Sequence, residues 1–87
     1  MKIYFVTISK IAGKELKKLP AKEVKKIFPK IKSLSINPRP EGCKKLKGES
    51  ESLWRIRVGD YRIIYIIDDL IEIVGIRRIA PQRDIYQ

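Results

Sequence analysis

The sequence predicts an α+β fold, with two N-terminal helices packed on one face of a small antiparallel β-sheet in the order β-α-α-β-β-β-β. Three observations carry that reading. Residues 53–65, LWRIRVGDYRIIY, place two runs rich in β-branched and aromatic residues around a Gly59-Asp60 pair, the signature of a tight hairpin. Val24, Ile27, Phe28, Ile31 and Leu34 recur at the spacing that builds one apolar helical stripe. Residues 2–8 alternate as a strand before any helical pattern begins.

Taken in chain order, residues 2–8 put Ile3, Phe5 and Thr7 on one face and Tyr4, Val6 and Ile8 on the other, apolar enough on both for a place inside the sheet. Ser9 is the N-cap of a first helix that carries Ile11, Ala12, Leu16 and Leu19 and stops at Pro20. The second helix contains Pro29, whose ring clashes with the carbonyl one turn earlier, so a kink or a split is expected there. Residues 37–42, NPRPEG, form a loop. The basic segment KKLKG at 44–48 reads as an edge strand, where lysines discourage unwanted pairing, and residues 49–52 as a polar loop. After the hairpin, Asp68-Asp69 supplies a second turn and residues 70–79 a last strand, ended by Pro81.

The hairpin register follows from its loop length. If Gly59 and Asp60 fill the loop, Val58 faces Tyr61, Arg57 faces Arg62, Ile56 faces Ile63 and Arg55 faces Ile64. Trp54, Ile56, Val58, Tyr61, Ile63 and Tyr65 then share the core side, while Arg55, Arg57 and Arg62 share the other as an open, concave surface. Two guanidinium groups directly opposed cost a sheet stability, so the cluster favours an anion. The alternative is a solvated face whose arginine stems cover apolar neighbours. A two-residue turn at Asp68-Asp69 would set Ile64 against Ile73 and Arg62 against Gly75, leaving space beside the arginines, with Arg77 on the same face and Arg78 on the other.

Eighty-seven residues suit a single domain spanning 1–87. Lys and Arg number 20 against 10 acids, a formal charge of +10 that favours a polyanionic partner. Neither a membrane span nor a signal-peptide core is present, which places the chain in the cytoplasm. The single Cys43 and the absence of histidine argue against a disulfide or a zinc site, and the scattered acids against other metals, so no metal and no cofactor are expected. Acid-base chemistry would have to use Lys, Tyr, Asp or Glu. The lysines on the outer helical faces, Lys14, Lys18 and Lys25 among them, read equally as a solvated surface or as phosphate contacts. Lys44, Lys45 and Arg77 join them as candidate contacts for a polyanion.

The run KKLKG, then WRIRVGDYRIIY, then a terminal RDIY, after two short helices, resembles the RelE/ParE superfamily of bacterial and archaeal toxins from toxin-antitoxin pairs. The likeness spans nearly the whole chain. It implies a small basic ribonuclease that enters the ribosomal A site and cuts messenger RNA, the ribose 2′-hydroxyl attacking the adjacent phosphate to leave a 2′,3′-cyclic phosphate and a 5′-hydroxyl. Residue by residue, Lys47 matches a basic position of that family, Arg55 and Arg57 match two lysines of its RelE branch, Arg62 matches an arginine, and Tyr86 matches a C-terminal tyrosine that stacks on or orients the substrate base.

Two departures stand out. Arginine does not give up its proton in proteins, so Arg55 and Arg57 cannot serve as the bases that lysines are proposed to be. Lys47, Tyr86 or electrostatics alone would then carry the reaction. In the tail, Gln82 occupies the position where many members place arginine, and Arg83 falls one step later. Tyr61, Tyr65 and Trp54 share the apolar face and read as core rather than as base-stacking platforms. The ParE branch, which poisons DNA gyrase without nuclease activity, is the alternative function, and an inactive partner- or operator-binding module is a third. Either toxin reading implies a cognate antitoxin with an acidic, amphipathic segment, in a toxin-antitoxin hetero-oligomer.

Overall fold

The structure, a computed structural model, describes residues 2–46 and 52–82. Its elements are β1 (Phe5–Ile8), α1 (Lys10–Lys17), α2 (Ala21–Ser33), β2 (Lys44–Lys45), β3 (Leu53–Val58), β4 (Tyr61–Asp68) and β5 (Ile73–Pro81). The strands form one sheet in the order β1-β5-β4-β3-β2. This is the predicted α+β arrangement, with one difference: β1 pairs with β5 in parallel, so the sheet is mixed rather than wholly antiparallel.

The local signals behave as their chemistry requires. Ser9 caps α1, its hydroxyl accepting the amide of Ala12 at 3.1 Å, and α2 starts directly after Pro20 and runs through Pro29 undivided. Ile27, Ile31 and Leu34 are buried against Ile56, Ile63, Tyr65, Val74 and Ile76, which seats the helical layer on the predicted apolar face. Trp54 and Tyr61 pack at the margin of the same core. Phe28 departs from its stripe and is 43% exposed.

Strand β1 is an edge strand, not an inner one. It begins only at Phe5, and it bonds to β5 alone, so Ile3 and Phe5 stand 62% and 71% exposed on the face away from buried Tyr4. Where β1 ends, α1 takes over the outer side of β5. The carboxylate of Glu15 accepts the backbone amide of Ile79 at 2.7 Å and holds the Arg78 guanidinium at 2.8 and 2.9 Å. A strand edge that would otherwise face water is thereby capped by a helix side chain.

The second turn is longer than expected. Asp68 faces Ile73, so Asp69, Leu70, Ile71 and Glu72 make the connection, and Gly75 stands against Ile66 rather than Arg62. Asp68 causes this: its carboxylate accepts the amides of Leu70 and Ile71 at 3.0 and 3.1 Å, and Glu72 closes the turn at a φ of 57°. A bulge follows, because Tyr65 pairs with Ile76 and Ile64 with Arg78, leaving Arg77 as the extra residue. The residue beside Arg62 is Ala80.

Candidate nucleic-acid interface

Strand pairing fixes the arginine cluster. Arg57 lies directly opposite Arg62, and Arg55 opposite Ile64, with Gly59 at a φ of 58° allowing the tight turn between the strands. On the other side of β3, Lys44 faces Arg55, so one face of the sheet carries a row of cations from β2 through β4. Lys45 faces Trp54 instead, which puts it on the core side and takes it out of the predicted set. Arg77 is exposed but is the bulged residue, so strand alternation does not assign its face; the register sets Arg78, expected on the other face, opposite Ile64 on the arginine side.

The face is less open than the sequence suggests. Arg57 is exposed, but Arg55 and Arg62 are only 6% and 4% exposed, and every one of these arginines has an interaction partner. Guanidinium groups held this way are preorganised, because they lose little further freedom when a phosphate binds. Lys14, Lys18 and Lys25 are exposed in the helical region, and none of them lines the cleft beside Arg55 and Arg57. Lys47, Arg83 and Tyr86 lie outside the described residues.

Because β2 meets β3 only at Arg55 and Trp54, the rest of the outer edge of β3 borders a cleft of about 320 Å³. Lys30 of α2, Lys44, Arg55 and Arg57 line it, together with Glu41 and the Pro40 end of the following loop. Among the described residues, four cations against one acid make it a place for an anion. A larger cleft of about 730 Å³ lies at the hairpin end, but there Lys22 and Lys26 are balanced by Glu23 and Asp60. Charge therefore favours the smaller one. Among the described residues no group of three or more Cys, Asp or Glu could hold a metal, and no helix is long and apolar enough to cross a membrane.

Sequence reasoning missed the cluster that holds the loop whose far end, Pro40 to Gly42, lines that cleft. Arg39 donates to both oxygens of Asp69 at 2.8 and 3.3 Å and lies 5.0 Å from the Trp54 ring centroid. Tyr4 donates to the same carboxylate at 2.6 Å, and Tyr65 donates to the carbonyl of Pro38 at 2.8 Å. Hydrogen bonds from Arg39 first, then from Tyr4, hold the Asp69 carboxyl down at about 2. The same contacts with Asp69 raise the Tyr4 phenol and the Arg39 guanidinium, and burial pushes up the Tyr65 phenol. Loop 37–42 is thus pinned from three sides, and its far end faces Arg55 and Arg57. Only its two prolines hinted at a fixed path.

Comparison with known proteins agrees with this architecture. Residues 6–86 match the family model described as the ParE toxin of type II toxin-antitoxin systems, parDE. A protein of Methanocaldococcus jannaschii named toxin RelE1 is 38% identical over 87 residues, covering 94% of this chain and 93% of the relative. The archaeal RelE-RelB complex of Pyrococcus horikoshii contains a chain superposing with a TM-score of 0.81 at 30% identity, over 92% of this chain and 96% of that one. The isolated RelE toxin of E. coli gives 0.76 at 25% identity, over 90% and 83%. With a family model spanning most of its length and a full-length relative above 30% identity, this chain belongs to the ParE toxin family of type II toxin-antitoxin systems and is a RelE-like toxin.

Proposed function

We propose that this toxin is a ribosome-dependent endoribonuclease that cuts translated mRNA in the A site, without metal or cofactor. The observation that supports this reading is the opposed pair Arg57 and Arg62, flanked by Arg55 and Lys44 on one sheet face. The ribose 2′-hydroxyl loses its proton, its oxygen bonds to the adjacent phosphorus, and the P–O5′ bond breaks as the departing oxygen gains a proton. Charge accumulates on the phosphorane, and paired guanidinium forks match its oxygens. Arg55, Arg57 and Arg62 take that role, Lys44 and Arg77 hold neighbouring phosphates, and Lys47, Arg83 and Tyr86 belong to the same site.

We also propose that a cognate antitoxin binds the toxin, as RelB does RelE in the Pyrococcus horikoshii complex. An acidic antitoxin segment would offset part of the +10 charge. The match to the ParE model favours a second reading, inhibition of DNA gyrase. Purified toxin added to a translating extract and, separately, to a gyrase supercoiling assay distinguishes them. Cuts within translated codons and unimpaired supercoiling support the nuclease; intact message and blocked supercoiling support the alternative.

A further inference from the structure

The arginines that mark the phosphate site cannot themselves be the base, since none of them releases a proton at usable pH, and the nuclease reading assigns the proton transfer to no residue. Among the described residues, the cleft at the outer edge of β3 contains one carboxylate, Glu41, beside Lys30, Lys44, Arg55 and Arg57. The backbone that carries it is held in place. Glu41 follows Arg39 and Pro40 in the loop that Asp69, Trp54 and Tyr65 hold, and Cys43 donates its amide back to the Pro40 carbonyl at 3.0 Å. The Glu41 side chain is exposed, and the anchoring fixes the backbone that presents it to the cleft, a first step in the preorganisation an acid-base group needs.

We propose that Glu41 is the catalytic base of this toxin, taking the proton from the 2′-hydroxyl of a nucleotide whose 3′-phosphate sits against Arg55 and Arg57. This rests on the nuclease reading above and assigns the step which that reading leaves open. Glu41 accepts the proton, the 2′-oxygen closes on phosphorus, and the 5′-oxygen leaves with a proton drawn from solvent. Glu41 returns its own proton to solvent, so charge and protons balance. Lys30, contributed by α2, adds a cation from a third element and helps to hold the phosphate while the carboxylate acts.

The proposal gives opposite signs for binding and chemistry. Removing a negative charge from a cleft meant for phosphate should strengthen substrate binding, whereas removing a base should slow cleavage by about 100-fold or more. The test measures mRNA cleavage by Glu41→Gln at saturating programmed ribosomes, with the apparent affinity for those ribosomes measured in parallel. The expected result is that kcat falls by about 100-fold with affinity unchanged or tighter, and that Glu41→Asp retains intermediate activity. Glu41 is exposed, so the melting temperature should not move. Cleavage by Glu41→Gln within about threefold of wild type overturns the proposal, as does a joint loss of affinity and rate. Wild-type toxin that leaves translated message intact overturns the nuclease reading itself, which is a separate result.

Discussion

Arg39 grips Asp69 through both terminal nitrogens, at 2.8 and 3.3 Å, while its guanidinium lies 5.0 Å from the Trp54 ring centroid. That relationship ties the loop after α2 to the turn after β4 and to the first residues of β3. It also holds the loop whose far end, Pro40 to Gly42, lines the cationic cleft.

The carboxyl of Asp69 is held at about 2 against an ordinary value of 3.8. Its folded-state value is depressed, so the stabilisation it contributes is present above the ordinary value and is lost as pH falls through about 2. Melting temperatures between pH 6 and pH 2 should therefore decline on the acid side. In Asp69→Asn the decline should be shallower, from a lower starting stability, and the Tyr4 and Arg39 contacts should loosen together.

Ser9 closes the first turn of α1 and also donates to the Arg77 carbonyl at 3.1 Å. Ser9→Ala should cost about 1 kcal/mol in urea denaturation.

A methyl group on Gly75 would meet Cγ1 of Ile66 at 3.1 Å and Oγ1 of Thr7 at 3.5 Å. Gly75→Ala should destabilise by about 1–3 kcal/mol through overpacking, read from the shift in the denaturation midpoint.

Ile63 and Ile31 are almost wholly buried where the helical layer meets the sheet. Either one changed to Ala should cost about 2–5 kcal/mol, measured by the shift in the denaturation midpoint.

The hairpin was legible because a Gly-Asp pair between two β-rich runs leaves one sensible register, and that register carried the arginines and the core aromatics with it. The next turn was not. Asp68 uses its side chain to cap two amides and Glu72 adopts a positive φ without being glycine, and neither leaves a recognisable pattern in sequence. The parallel placement of β1 and the bulge at Arg77 likewise depend on α1 and Glu15 occupying the far side of β5. Tyr4, Arg39, Trp54 and Asp69 come from four separate segments, so their meeting is a product of the finished fold. Burial of Arg55 and Arg62 could not be read either, since alternation assigns a face and not its depth.

The most direct test of the phosphate site is the Arg57→Ala variant. Arg57 is exposed, so its loss should change stability by no more than about 0.5 kcal/mol. The measurement is the map of new 5′ ends in mRNA translated with wild-type or Arg57→Ala toxin. The site described here predicts codon-internal cuts with wild type and about 100-fold fewer with the variant. Equal cutting by a stably folded Arg57→Ala protein would contradict it.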